Sequence, residues 1–268
     1  MKKALTIFTA VVLLALLSCG KGKSQAGESS FSEFTINSRS TGSQRTVGVY
    51  LPAGYDKQNT YPVVYMEDGL VFTDGNYRSI LDSLVLYRLI SPVVVVCSYE
   101  DKTPMPEFGI AMRNAEYLES LSQRTPELAV YFENHLAYFT DELIPEIEKR
   151  YSVSKERSGR IYYGTSNSAD FGLSLSMRHP ELFDEYWCFS PVCSDLGNYG
   201  MLEQDARYRI CWGAKEESGL SFNYFPSLIN SIRKRGGIVD SWTYPGGHDR
   251  PVWEMQFYNL LANRFPAE

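Results

Sequence analysis

The sequence has little of what marks several classes of protein. Its 268 residues include only 3 histidines and 5 cysteines, and its 20 glycines are far fewer than a collagen-like repeat needs. The longest run of basic residues is 233–235 and the net charge is −6, so the clustered positive charge that nucleic-acid binding requires is missing. With 44% hydrophobic and 14% aromatic residues, the chain is too apolar for a disordered protein. These counts indicate a folded globular protein that does not bind nucleic acid.

The first thirty residues differ from the rest. Lys2 and Lys3 precede fourteen uncharged, mostly apolar residues, which are too few for the roughly 20-residue helix that spans a bilayer. We therefore predict a signal peptide over residues 1–18. Residues 16–20, Leu-Leu-Ser-Cys-Gly, resemble the lipobox of bacterial lipoproteins, which implies that Cys19 becomes a lipidated N-terminus; an ordinary secretory signal is the alternative. Residues 19–30 would be the lipidated Cys19 and a flexible linker. The protein that remains after cleavage would be an exported, membrane-tethered lipoprotein on the periplasmic or cell-surface side.

The remaining residues 31–268 alternate between strand and helix patterns and are predicted to form one domain. An initial pair of alternating segments, 31–37 and 45–51, predicts an antiparallel hairpin. Further strands are expected at 62–66, 93–97, 160–163, 186–189, 208–212 and 238–244, and helices at 77–90, 127–151, 167–179, 222–235 and 251–265. The run Val93 to Val96 has no polar face, which is typical of a strand covered on both sides. The pattern predicts an α/β fold with a mostly parallel, doubly wound sheet and helices on both of its faces.

The cysteines outside the leader do not form a metal-binding pattern. No Cys-x-x-Cys pair occurs, and no histidine and cysteine cluster has metal-ligand spacing, so neither a metal nor another cofactor is expected. Export would allow disulfides. We favour free thiols because most of these cysteines lie in or beside apolar, strand-like runs. The residues concerned are Cys97, Cys188, Cys193 and Cys211.

A strand, a tight turn and a helix are predicted around Ser166. Gly164-x-Ser166-x-Ser168 matches the nucleophile elbow of serine hydrolases, except that its last position is Ser instead of Gly. The elbow needs small residues two positions on either side of the nucleophile, because strand and helix pass closely there. Ser168 as nucleophile would have the larger Asp170 at one of those positions, so Ser166 is the better candidate.

A serine nucleophile needs a base, and His248 is the best placed of the three histidines. His135 lies in the middle of a predicted helix and is interpreted as a packing or surface residue. His179 ends the elbow helix, about three turns from Ser166. His248 follows the last predicted strand, where side chains project from the carboxyl edge of the sheet.

The base in turn needs a carboxylate, which in α/β-hydrolases lies between the serine and the histidine in sequence. Of the acidic residues in that interval, only Glu216 and Glu217 lie in a loop between a predicted strand and a predicted helix. We favour Glu216 and keep Glu217 as the alternative. Either residue would otherwise be a solvated loop carboxylate.

Segments along the whole predicted domain resemble the putative-esterase group of α/β-hydrolases, which is related to esterase D, the enterochelin esterases, and the acetyl-xylan and feruloyl esterases. They are residues 45–56, 61–69, 113–117, 142–145, the elbow, 178–183 and 246–249, with Trp253 downstream. The resemblance implies an α/β-hydrolase fold and an oxyanion hole made of two backbone N–H groups, which fall here on Asn167 and Leu70. Relatives usually carry Gly where this chain has Ser168.

Together these features predict a serine ester hydrolase with a Ser166, His248 and Glu216 triad. We expect the substrates to be small-molecule or oligosaccharide esters outside the cytoplasm. Acetyl or feruloyl esters of carbohydrates are favoured over siderophore esters. The alternatives are a tethered, non-catalytic binding protein on a degenerate hydrolase fold, and an acyltransferase. Residues near the predicted mouth would either line the substrate pocket or form buried salt bridges and aromatic packing; they are Glu67, Asp68, Arg113, Asn114, Glu116, Tyr117 and Trp253. The oligomeric state is not predicted.

Overall fold

The computed structural model describes residues 27–192, 206–218 and 224–267. The predicted signal peptide, Cys19, most of the predicted linker and Cys193 lie outside the described residues. Within those ranges, no helix combines the length and the apolar character needed to cross a membrane.

An eight-stranded sheet forms the centre of the described structure. Its strands lie side by side in the order β1-β2-β4-β3-β7-β8-β9-β10. β2 pairs antiparallel with β1 and with β4, and every other neighbouring pair is parallel. The predicted hairpin and the predicted parallel sheet are both confirmed. The strands are β1 Ser30–Asn37, β2 Gln44–Leu51, β3 Val63–Met66, β4 Val94–Ser98, β7 Arg160–Thr165, β8 Glu185–Phe189, β9 Arg207–Gly213 and β10 Ile238–Tyr244.

Helices cover both faces of this sheet, as predicted. Alternate side chains of the central strands point into two separate apolar layers; Val63 and Tyr65 enter one, and Val64 and Met66 enter the other. The helices are α1 Gly69–Thr73, α2 Tyr77–Leu86, α3 Met112–Tyr117, α4 Glu119–Arg124, α5 Pro126–Ala137, α6 Ile144–Arg150, α7 Asn167–Arg178, α8 Tyr224–Lys234 and α9 Arg250–Arg264.

Two predicted helices differ from the observed ones. The first, predicted over 77–90, ends at Leu86, and the chain turns through Arg88 at φ 54°. The second, predicted over 127–151, is interrupted between α5 and α6 by a π-helical segment at Tyr138–Leu143. The stretch between β4 and α5 was not assigned from the sequence. It contains α3, α4 and a separate small hairpin, β5 Pro104–Met105 with β6 Ile110–Ala111.

Three cysteines in the described residues are free thiols, as favoured from the sequence. Cys97, Cys188 and Cys211 are buried in the sheet, and burial raises the pKa of each thiol well above its usual value. These thiols are therefore protonated packing residues.

The parallel strands all end at one edge of the sheet, which is called here the carboxyl edge. Six parallel strands end there, and four of the segments that follow them are the turn after β3, the elbow after β7, the short helical turn Ala214–Ser218 after β9, and the loop after β10. In open α/β sheets ligands bind at this edge, and these segments carry the residues predicted to act in catalysis.

Candidate active site

Ser166 lies at the turn between β7 and α7, in a backbone conformation that ordinary residues avoid. Its φ is 56° and its ψ is −126°, and its N–H donates to the carbonyl oxygen of Phe189 at 2.9 Å. A Cβ on Gly164 would overlap the carbonyl of Ser168 and lie 2.8 Å from the nitrogen of Ala169. Glycine is therefore required where β7 passes α7, as the elbow pattern predicts. Ser166 itself is partly exposed, unlike its buried neighbours.

Ser168, the departure from the usual elbow glycine, fits this turn through its hydroxyl group. The N–H of Thr165 donates to Ser168 Oγ at 2.9 Å, and Ser168 Oγ donates to the carbonyl oxygen of Thr165 at 2.7 Å. Ser168 is fully buried. Because the added hydroxyl satisfies both its donor and its acceptor capacity on the adjoining backbone, it braces the elbow without displacing Ser166.

His248 and Glu216 form a hydrogen-bonded pair at the same edge. His248 Nδ1 lies 2.8 Å from Glu216 Oε2. The His248 side chain is 42% exposed, whereas the Glu216 side chain is 8% exposed. A carboxylate only accepts hydrogen bonds, so the proton of a neutral His248 lies on Nδ1 and Nε2 is left as an acceptor. This is the tautomer that a general base needs.

The surroundings of Glu216 keep it ionised. Burial alone would raise the pKa of Glu216, but hydrogen bonds from His248, from the N–H of Gly213 and from Ser190 outweigh it, so the pKa lies below its ordinary value. Glu216 Oε1 accepts from Gly213 N at 2.6 Å and from Ser190 Oγ at 2.8 Å. The alternative acid, Glu217, follows in the same turn, but its side chain lies outside the described part of the chain.

The loops that carry Glu216 and His248 are in backbone contact. A Cβ on Gly213 would lie 2.5 Å from the carbonyl oxygen of Gly246, and the N–H of Lys215 donates to that oxygen at 2.9 Å. The end of β9 therefore approaches the histidine loop as closely as glycine allows. This contact fixes Glu216 relative to His248 before any substrate binds.

Ser190 and Tyr244 complete the surroundings of Glu216 and were missed in the sequence. Ser190 is fully buried at φ 49°, directly after β8. Its Oγ accepts from Trp253 Nε1 at 3.0 Å and lies 3.1 Å from the hydroxyl of Tyr244. The ring of Trp253 also contacts that of His248, with 5.0 Å between ring centroids and the two planes nearly perpendicular. Trp253, predicted near the mouth, thus packs against His248 and, through Ser190, supports Glu216.

Ser166 and His248, the predicted nucleophile and base, share an edge of the sheet but are not hydrogen-bonded in the described structure. Among the described residues, no hydrogen bond joins Ser166 Oγ to His248. Catalytic hydrogen bonds are often long before substrate binds and tighten in the complex. Both side chains are accessible, as groups that meet a substrate must be.

The two N–H groups implied for the oxyanion hole occupy different environments. Asn167 is the first residue of α7, where backbone N–H groups have no acceptor within the helix. The N–H of Leu70, at the start of α1, points to Glu100 Oε2 at 3.4 Å. The Glu100 side chain is 4% exposed and pairs with Lys102 at 3.1 Å. A substrate oxygen at Leu70 would therefore compete with this carboxylate.

Glu67 and Glu116, predicted to be either pocket residues or members of buried salt bridges, lie in a buried ionic network. Glu67 accepts from the Tyr117 hydroxyl at 2.9 Å and lies 3.0 Å from His135 Nε2. Arg45 binds both oxygens of Glu116, at 2.8 and 3.0 Å. Burial would lower the pKa of Arg45, but Glu116 outweighs it and raises the pKa. His135 is a fully buried packing residue, so the alternative of a surface position is wrong.

Asp68 and Arg113 form a second ion pair, next to the turn that carries Leu70. The guanidinium group of Arg113 contacts both oxygens of Asp68, one of them at 2.6 Å from Nη2. Asp68 is 2% exposed and adopts φ 59°, directly before α1. The pair holds the turn after β3 against α3, and Arg113 keeps part of its side chain accessible. Across the described residues, no group of three His, Cys, Asp or Glu side chains could hold a metal ion.

The fold is that of an α/β-hydrolase. Comparison with protein families identifies the family more closely: residues 38–224 match the model described as "Putative esterase". The chain belongs to this putative esterase family. The predicted family resemblance is therefore confirmed.

A curated relative and several solved structures are similar to the chain. An "Endo-1,4-beta-xylanase/feruloyl esterase" of Xylanibacter ruminicola is 29% identical over 166 residues, covering 58% of this chain and 20% of that protein. The chain thus spans about a fifth of the length of that relative. A ferulic acid esterase structure superimposes with a TM-score of 0.70 at 17% identity, covering 89% of this chain and 98% of the other. The enterobactin esterase of Shigella flexneri gives a TM-score of 0.71 at 16% identity, and the match covers 90% of this chain and 60% of the esterase chain. At these identities the structural matches establish the α/β-hydrolase fold.

Proposed function

We propose that the protein is a serine carboxylic-ester hydrolase in which Ser166, His248 and Glu216 act as nucleophile, base and acid. The observation that carries the proposal is the His248 pair with Glu216 at 2.8 Å, on the same sheet edge as an elbow serine at φ 56°. Membership in the putative esterase family supports the same reaction.

The proposed reaction follows from the tautomer of His248. Ser166 Oγ attacks the ester carbonyl while its proton passes to His248 Nε2, and Glu216 stabilises the resulting imidazolium through Nδ1–H. The carbonyl oxygen becomes an oxyanion, which the N–H groups of Asn167 and Leu70 would stabilise by about 3 kcal/mol each. The imidazolium then protonates the departing alcohol oxygen, which leaves an acyl group on Ser166. Water, deprotonated by His248, attacks that acyl group. The bond between the acyl carbon and Ser166 Oγ then breaks, the imidazolium returns its proton to Oγ, and the carboxylic acid is released.

The substrate class is proposed from the relatives. A curated relative named as a xylanase and feruloyl esterase and a fold match to ferulic acid esterases favour acetyl or feruloyl esters of carbohydrates. The fold match to an enterobactin esterase keeps siderophore esters as the second substrate class. A screen of acetyl, feruloyl and siderophore esters ranks these classes by kcat/KM.

The experiment that tests the reaction combines turnover with labelling of the serine. The purified domain is expected to hydrolyse p-nitrophenyl acetate and to be labelled on Ser166 by a fluorophosphonate, which reacts only with activated serines. Ser166→Ala and His248→Ala should each lose turnover and keep the fold by circular dichroism. Ser168→Ala is the matched control, because it removes a serine hydroxyl from the same turn and keeps the nucleophile.

Three results would contradict the proposal or redirect it. Turnover that survives in both variants would exclude this triad. A folded protein that neither turns over nor takes the label would be a binding protein on a hydrolase fold. Acyl transfer to an added sugar or alcohol, in preference to water, would make the protein an acyltransferase.

We further propose that the protein is exported and tethered to a membrane through lipidated Cys19. The lipobox-like residues 16–20 and the preceding apolar run support this placement. Expressed with its leader, the chain should incorporate a labelled fatty acid and sediment with membranes, whereas Cys19→Ser should do neither. Incorporation that is unchanged in Cys19→Ser would refute the anchor.

A further inference from the structure

Four consecutive exposed residues, 86–89, lie at the end of α2 and in the turn that follows it. Leu86, Tyr87 and Leu89 are 75%, 72% and 49% exposed, and Arg88 between them is also exposed. Together they are the largest contiguous group among the exposed large hydrophobic side chains of the described residues. Single exposed apolar residues are ordinary, whereas a contiguous group marks an interaction surface. Residues 86–89 are called here the apolar turn.

The apolar turn lies at the sheet edge opposite the candidate active site. It precedes β4, so it lies near the amino end of a parallel strand, whereas Ser166 and His248 follow the carboxyl ends of β7 and β10. Strands of five to seven residues separate the two edges by roughly 17 to 23 Å. A surface bound at the apolar turn would not cover the nucleophile.

The start of the described chain lies beside the apolar turn. Gly27 and Ser29 line one groove of about 560 Å³ together with Val85 and Leu86. The N–H of Gly54 donates to the carbonyl oxygen of Gly27 at 3.1 Å, and Arg78 donates to that of Ser29 at 3.2 Å. The linker therefore joins the domain at the edge that carries the apolar turn.

We infer that the apolar turn docks onto the lipid bilayer that carries the anchor; this inference rests on the proposed lipidation of Cys19. Eight residues of chain reach at most about 29 Å, so the anchored lipid cannot be farther than that from Gly27. Confinement near the bilayer gives even a weak apolar contact a high effective concentration. The ionic side chains along the groove balance, because Arg78 and Arg88 offset Glu28 and Asp82. Without the leader and its two lysines the chain has 24 basic and 32 acidic residues, a net charge of −8, and this balanced face escapes the repulsion that such a charge would cause at an anionic membrane.

Docking in this way fixes the orientation of the enzyme on the membrane. The leucine and tyrosine side chains enter the headgroup region, where apolar and amphipathic residues of peripheral proteins lie. The carboxyl edge of the sheet then faces away from the bilayer. The candidate active site is thus open to soluble or polymeric esters and closed to esters within the membrane lipid itself.

The test replaces the acyl anchor, so that it does not depend on lipidation. The chain from residue 19, with Cys19→Ser and Cys193→Ser and an N-terminal hexahistidine tag, is bound to phosphatidylcholine and phosphatidylglycerol vesicles that contain a nickel-chelating lipid. An environment-sensitive dye is attached at Leu86→Cys or, as the matched control, at Val130→Cys. Val130 is 52% exposed on α5, which packs on the other face of the sheet from α2. The remaining cysteines are buried and do not take the dye.

On vesicles, the dye at position 86 is expected to brighten about twofold or more and to shift to the blue as it leaves water, while the dye at position 130 stays unchanged. In the same tagged chain, Leu86→Glu with Leu89→Glu should lower the affinity for these vesicles about tenfold, because the apolar contact adds to the binding through the tag. Equal responses at both positions, or none at position 86, would overturn the inference. If the dye at position 86 brightens in the absence of vesicles, and does so more strongly at higher protein concentration, the apolar turn binds a second copy of the chain and the inference is overturned. Because the tagged chain carries Cys19→Ser, these results do not depend on lipidation. Fatty-acid labelling of Cys19 tests the anchor in a separate experiment.

Discussion

The hydroxyl of Ser190 is predicted to hold the acid of the candidate site in place, and its removal can be worked through from the structure. Ser190 Oγ donates to Glu216 at 2.8 Å and accepts from Trp253 Nε1 at 3.0 Å. Ser190→Ala removes a hydrogen bond to a charged group, worth about 1.5 to 3 kcal/mol, and leaves a buried indole N–H without its acceptor. We expect the free energy of unfolding to fall by roughly 2 to 4 kcal/mol.

Two further variants separate the hydroxyl from the backbone. Ser190 has φ 49°, which glycine adopts freely and alanine does not, so Ser190→Gly should be about 1 kcal/mol more stable than Ser190→Ala. Ser174→Ala is the matched control, because Ser174 is a fully buried serine whose hydroxyl has no hydrogen-bond partner among the described residues. Its loss should leave stability nearly unchanged or raise it.

The effect of Ser190→Ala should depend on pH, with a definite sign. Because the folded protein holds the pKa of Glu216 below its ordinary value, the ionised carboxylate adds stability that is present above the ordinary pKa and is lost as the pH falls through the lowered one. Losing the Ser190 donor moves the pKa back up. The stability difference between the unchanged chain and Ser190→Ala should therefore be full at neutral pH and shrink in acid.

Denaturant unfolding at several pH values measures these differences, and turnover of p-nitrophenyl acetate measures their effect on catalysis. A loss of about 1.4 kcal/mol of transition-state stabilisation would lower kcat/KM about tenfold, and the acid limb of the pH profile should move to higher pH. Two results together would show that Ser190 does not position Glu216. They are a free energy of unfolding for Ser190→Ala equal to that of Ser174→Ala, and a pH profile of turnover for Ser190→Ala equal to that of the unchanged chain.

Three other changes test the site and its support. Gly164→Ala should remove fluorophosphonate labelling of the elbow serine, because the added Cβ overlaps the helix backbone; undiminished labelling would show that the elbow adjusts. Arg45→Met should cost about 3 to 5 kcal/mol in denaturant unfolding because it strands a buried carboxylate. The control Arg150→Met, which breaks a more exposed pair, should cost less than about 1 kcal/mol, and equal losses would refute the burial argument. Glu216→Gln should lower kcat/KM at least about a hundredfold and Glu217→Gln less than about twofold; the reverse order would make Glu217 the acid.

Much of the fold could be predicted because its signals are local. Strands buried on both faces, such as β4, show as uninterrupted apolar runs, and the elbow shows as small residues at fixed spacing between a strand and a helix. The end of α2 was placed too late for a related reason. Leu86 and Leu89 continue the apolar spacing of the helix, yet they are exposed, and periodicity alone cannot tell an apolar residue that packs inward from one that faces solvent.

Other features could not be predicted because they depend on contacts between distant segments. Ser190 is an ordinary serine in the sequence, and it meets Glu216, Tyr244 and Trp253 only when four segments reach the same edge. The environment of His135 is likewise tertiary, since its partner Glu67 lies 68 residues away. The π-helical segment at Tyr138–Leu143 continues the helical pattern of its neighbours and leaves no separate signal.

The carboxylate of Glu100 beside Leu70 N–H has a consequence for how the reaction would end. An ester is neutral at its carbonyl and can displace a weak contact of 3.4 Å, whereas the acid released by hydrolysis carries a negative charge. Two like charges a few ångströms apart in a partly buried site repel each other by a few kcal/mol. Glu100 would therefore favour departure of the carboxylic acid as it ionises, so we expect the released product to inhibit turnover only weakly.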